Sequence, residues 1–146
     1  MRNRKKKQGF TLVELMIVAV IVAILAAVAI PLMSANKKRA IATEAEAGCG
    51  TIRTVLRAMR AESGAYNKDL DGTALAASQP DVTVLPGLSS GDLDGKYFGD
   101  DDYAISGLGA DAYTITCTGY AGYGDGEAAG IVIQLNQAGT WVRTLP

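Results

Sequence analysis

The chain has 146 residues, about one domain's worth of length, and a net charge of −1. It contains no histidine and only two cysteines, which removes the commonest general base and transition-metal ligand and leaves too few thiols for a cysteine-rich zinc site. The near-neutrality hides a gradient, with +5 on residues 1–9, +3 on residues 10–60 and −9 on residues 61–146. An acidic distal half disfavours nucleic acid as a partner, because phosphate contacts need clustered Lys and Arg.

In chain order, the first feature is a basic segment: Arg2, Arg4, Lys5, Lys6 and Lys7, with no acid among them. An apolar run follows from Phe10 to Met33, interrupted only by Thr11, Glu14 and Pro31, and unbroken Leu, Val, Met, Ile or Ala from Leu15 to Ile30. As a helix it would measure roughly 36 Å, enough to cross a hydrocarbon core of about 30 Å. A conventional secretory signal has the same opening, and Ala27-Val28-Ala29 could serve as its cleavage site. The apolar run is longer than such signals carry, and a carboxylate stands near its start.

That carboxylate, Glu14, matters because a charge in a membrane helix costs about 2.5–3.5 kcal/mol and normally has a partner. The nearest preceding base is Lys7. A cut between Gly9 and Phe10 would create an α-amino cation four residues before Glu14, available to a neighbouring copy. The alternative is a solvated Glu at headgroup level with no partner, and position alone leaves both open.

Lys7-Gln8-Gly9-Phe10-Thr11-Leu12-Val13-Glu14-Leu15-Met16, with the apolar run and Pro31 behind it, resembles the class III leader and N-terminal helix of type IV pilins and pseudopilins. The resemblance is close over residues 7–35 and architectural beyond them. It implies a prepilin peptidase that cuts after Gly9 and methylates the new terminus at Phe10, and a Glu14 that neutralises a neighbour's amino terminus during assembly. It further implies a homo-polymer built through N-terminal helices on a pilus or secretion platform, contact with membrane lipid before assembly, and neither enzymatic activity nor a cofactor. The precursor would sit in the inner membrane before moving to a surface filament serving adhesion or motility, or to a periplasmic pseudopilus. Five basic residues before the span outnumber Lys37, Lys38 and Arg39 after it, favouring a cytoplasmic amino terminus. The three that follow read as a solvated interfacial anchor, with a dedicated lipid contact as the alternative.

Beyond the span, Ala42, Ala45, Cys49, Ile52, Leu56 and Met59 recur at helical spacing, so the helix continues with one apolar face. Gly64 is its natural stop. Pro31 is a candidate kink. Gly48 and Gly50 either allow close packing on a head or loosen the helix. Residues 65–100 read as an irregular connection, with one helical turn possible at Ala74–Ser78. Asp-Leu-Asp-Gly occurs at 69–72 and again at 92–95. With Asp100, Asp101 and Asp102 it makes Asp92 and Asp94 weak calcium candidates, although the spacing fails the helix–loop–helix calcium pattern and solvated turns account for it better.

The distal third alternates as strands: Tyr113, Ile115 and Cys117 against Thr114, Thr116 and Thr118, then Ile131, Ile133 and Leu135, then Trp141–Thr144, with Tyr103–Ile105 as a further edge. Asn136–Gly139 is a hairpin connection. The glycine-rich stretch 119–130 lacks the lysine of a phosphate loop. The Tyr-Thr-Ile-Thr and Gln-Ala-Gly-Thr-Trp strings resemble strands of pilin heads. The fold expected is α+β, a long N-terminal helix on a three- to four-stranded antiparallel sheet. It divides into a leader (1–9), a membrane and polymerisation half-helix (10–35), an amphipathic half-helix (36–64), an αβ loop (65–100) and a sheet with terminal loops (101–146).

Periodicity places Cys49 and Cys117 on the same helix–sheet interface, and an oxidising compartment would close a facing pair. Such a bridge would be worth about 4 kcal/mol. The alternative is two buried thiols that never meet. A helix-to-sheet bridge also departs from the pilin pattern, in which both cysteines lie in the carboxy-terminal region.

Within the family the alternative to a pilus subunit is a pseudopilin of a type II secretion system. Major secretion pseudopilins resemble one another in a Tyr-Pro stretch after the helix, and Gly64-Ala65-Tyr66-Asn67 has no proline.

Overall fold

The computed structural model describes residues 9–79, 81–123 and 125–146; of the expected leader, all but Gly9 lies outside them. The described residues divide into two units, one up to residue 36 and one of residues 37–146. One helix, α1 (Leu12–Ser63), contributes to both, and its helical conformation is unbroken at Pro31. It stops where the sequence changes from good helix formers to Gly64, whose φ of +79° suits a residue without Cβ. The Gly64 N–H still donates to the Arg60 carbonyl at 2.9 Å.

In the first unit the large apolar side chains from Phe10 to Met33 are 51–85% exposed, so this stretch of helix has no core of its own. In the second unit, Ile41, Ala42, Ala45, Cys49, Ile52, Leu56 and Met59 are buried, one seam at 3–4 spacing. The seam packs on a four-stranded antiparallel sheet in the order β1-β2-β3-β4: β1 (Tyr103–Ser106), β2 (Thr114–Thr118), β3 (Val132–Asn136) and β4 (Trp141–Thr144). The fold is α+β. Register aligns Tyr103 with Cys117 and Cys117 with Ile133, and Ile105 with Ile115 and Ile115 with Leu135. Every second residue of the first three strands therefore faces the helix, as period-two alternation requires. The β3–β4 hairpin closes through a Gly139 N–H to Asn136 carbonyl bond of 3.0 Å, with Gly139 at φ +88°.

Three details depart from the sequence expectations or choose among them. Ala74–Ser78 makes no helical turn. Ala74 bridges to Lys68, and Gln79 exchanges both backbone hydrogen bonds with Ile105 at 2.8 Å, so the sheet's open edge holds this segment extended. Of the two helical glycines, Gly48 is the one that permits close packing. A Cβ there would meet the Tyr103 hydroxyl and ring, whereas one at Gly50 would meet nothing within 4 Å.

The third detail is a correction: Cys49 and Cys117 are fully buried on the shared interface but are free thiols, and the expected bridge is absent. Tyr103 pairs with Cys117 across β1 and β2 and sets its ring against Gly48. A large phenol thus packs at the neighbour of Cys49 and stands across the ladder from Cys117. Periodicity determines which face a residue takes but not which side chain fills the gap. Burial pushes the Cys49 thiol up to about 12 from its ordinary 9.0, and pushes Cys117 up as well. Labelling should therefore find no reactive thiol in the folded protein at pH 8 and two per chain after unfolding without reductant. The unfolded chain ionises Cys49 near 9.0 while the folded one resists to about 12. That contribution to stability is whole below pH 9 and lost as pH climbs above it, so through this thiol the melting temperature should fall on the alkaline side.

Glu44 holds the αβ loop to the helix. Its Oε1 accepts from the Tyr97 and Phe98 backbone N–H groups at 2.7 and 2.9 Å, and Gly95 leaves room for it, since a Cβ there would strike the same carboxylate. Hydrogen bonds to a charged group contribute about 1.5–3 kcal/mol each.

Candidate assembly site

The chemistry singled out in the sequence lies at the start of α1. Thr11 precedes the first helical residue, and Glu14 is three positions on. The Glu14 N–H donates to Thr11 Oγ1 at 3.3 Å, while Glu14 Oε2 accepts from the Thr11 N–H at 2.7 Å and from its hydroxyl at 2.8 Å. This is a capping box: each residue satisfies a group that the helix start leaves without an intrahelical partner. Thr11 is the residue that the sequence expectations for Glu14 left out, although the Thr-x-x-Glu spacing is legible. The box supplies the carboxylate with two hydrogen-bond donors from within its own helix start.

Around it the surface is apolar. Val13, Met16, Ile17, Val20 and Ile21 form one contiguous face of the helix, at the spacing of a packing stripe. Gly9 and Phe10 are exposed, and a Cβ on Gly9 would meet nothing within 4 Å. α1 is long and apolar enough near its amino terminus to cross a membrane.

The acidic candidates of the head lie together but are committed to the backbone. Asp92 accepts from the Ser89 N–H at 2.8 Å, Asp94 from Asp100 at 3.1 Å, Asp102 from Gly99 at 2.8 Å, and Asp100 from Leu93 at 3.0 Å and Gly91 at 2.5 Å. Asp101 is exposed. Asp102 is buried and its carboxyl is raised above the usual range, desolvation outweighing the Gly99 hydrogen bond. Among the described residues no group of three or more carboxylates or thiols has a metal-holding arrangement. The loops use their carboxylates as turn-formers, as Asp and Asn commonly do.

Neither the curated proteins nor the solved structures include a match to this chain. Residues 4–30 match a family model described as the prokaryotic N-terminal methylation motif. With its basic segment, the Gly9–Phe10 junction, the capped Glu14 and a membrane-length apolar helix, the chain carries the class III leader of type IV pilins and pseudopilins.

Proposed function

We propose that the protein is a structural subunit of a type IV pilus-like filament, made as a membrane-anchored precursor and assembled through its N-terminal helix after cleavage between Gly9 and Phe10. One observation carries this reading: within the matched motif, a helix with no core of its own exposes a continuous apolar face and a single carboxylate at its start. An apolar surface of that extent calls for lipid or for other copies of the helix. In the membrane lipid covers it; in a filament, neighbouring helices do. The amine created at Phe10 supplies the cation that a neighbour's Glu14 lacks. The missing proline after Tyr66 favours a pilus subunit over a secretion pseudopilin, and adjacency to a pilus or a secretion ATPase gene separates the two. Intact mass measured on sheared filaments tests the processing: the subunit should begin at N-methylated Phe10, and a terminus at Ile30 would overturn the reading.

A further inference from the structure

Residues 37–146 carry a net charge of −5, yet one place on this unit is basic and greasy together. α1 and β4 border an open groove of about 290 Å³ lined by Arg39, Ala42, Thr43, Glu46, Arg143 and Leu145, with mostly hydrocarbon walls. Its polar groups are unequally committed. The Thr43 hydroxyl donates to the Ala40 carbonyl. Glu46 accepts from Arg143 Nε, which orients that guanidinium and leaves both Nη groups without a partner among the described residues. Arg39 has neither an ion pair nor a hydrogen bond among the described residues. The adjacent lysines differ: Lys37 pairs with Glu127, and Lys38 donates to the Pro146 main-chain oxygen at 2.9 Å.

We propose that this groove binds one anionic phospholipid of the membrane that holds the precursor. The phosphodiester would sit between Arg39 and Arg143, with glycerol and the first acyl methylenes on Ala42 and Leu145. Charge complementarity selects an anion, since two guanidinium groups with free N–H donors match phosphate geometry. The hydrocarbon walls select an anion with an apolar tail over a free phosphate or a carboxylate side chain. Arg39 also follows Met33, the last residue of the apolar run, by only six positions, where lipid headgroups are at hand. This inference rests on reading the run from Phe10 to Met33 as membrane-spanning. It differs from a general interfacial anchor, in which Lys37 and Lys38 would count as much as Arg39.

The test uses the full chain in a neutral detergent, titrated with phosphatidylglycerol or phosphatidylcholine and read by native mass spectrometry. The wild type should retain one phosphatidylglycerol and no phosphatidylcholine. Arg39→Gln and Arg143→Gln should each weaken retention about fivefold. Thr43→Trp, which fills the groove and keeps its charges, should weaken it too, while Lys37→Gln/Lys38→Gln should hold wild-type affinity. Equal retention of the two lipids, or losses from the lysine pair matching those from the arginines, would overturn the proposal. So would a cross-linked dimer from Thr43→Cys that phosphatidylglycerol does not displace. A failure of the membrane-spanning reading appears separately and earlier, as chain recovered in the soluble fraction without detergent.

Discussion

Glu14→Ala should reach the membrane and be cleaved and methylated at normal levels, yet leave few filaments in the sheared fraction. Insertion should not suffer, because the substitution removes a cost of about 2.5–3.5 kcal/mol from the membrane helix. Two stabilising effects are lost, and their sizes differ. The capping box with Thr11 is worth about 1 kcal/mol at the helix start. A neighbour's Phe10 amine left without its counter-charge in a packed apolar bundle costs about 3–5 kcal/mol at each contact. Two further variants separate them. Thr11→Ala breaks the box, keeps the carboxylate and should still assemble. Glu14→Gln keeps the shape without the charge and should fail like Glu14→Ala. Immunoblots of membrane and sheared fractions read all three, and normal filament yield from Glu14→Gln would refute the pairing.

Gly48→Ala and Gly50→Ala should change stability in opposite directions, although they are two residues apart on one helix. In solvent-facing helix positions, Ala gains about 1 kcal/mol over Gly, and Gly50 has open space where its Cβ would go. Gly50→Ala should therefore stabilise by up to that amount. At Gly48 the new methyl would press on a Tyr103 ring that belongs to β1 and is 1% exposed. Overpacking of that kind costs about 1–3 kcal/mol, which outweighs the gain in propensity. Chemical denaturation in detergent, followed by the signal of the head, gives both signs. Adding Tyr103→Leu to Gly48→Ala should recover part of the loss, since the shorter side chain makes room for the methyl. A double-mutant cycle measures that coupling, and a cycle that closes at zero would remove Tyr103 as the cause.

The features that were legible in the sequence are local and periodic. A run of apolar residues from Leu15 to Ile30 states its own length, the seam from Ala42 to Met59 states its own face, and the alternation around Ile115 and Ile133 states its own strands. Each needs only 3.6- or 2-residue geometry and the cost of leaving apolar surface in water. The leader motif is equally local, which is why Gly9, Phe10 and Glu14 stood out before any fold was known. The capping box was also within reach, since Thr11 and Glu14 are three residues apart.

Contacts between segments distant in the chain were decided only by the tertiary structure. Glu44 lies off the apolar seam, and no local pattern shows that it binds two N–H groups more than 50 residues away. Cys49 and Cys117 were placed on the right faces and still did not join, because register set Tyr103 opposite Cys117 and Gly48 gave its ring room. The aspartates between 92 and 102, weak calcium candidates by sequence, accept backbone N–H groups whose positions no local spacing gives. The groove between Arg39 and Arg143 brings together residues from opposite ends of the head. Pattern determines which face a side chain takes; what meets it there depends on register and packing between segments, which no local period encodes.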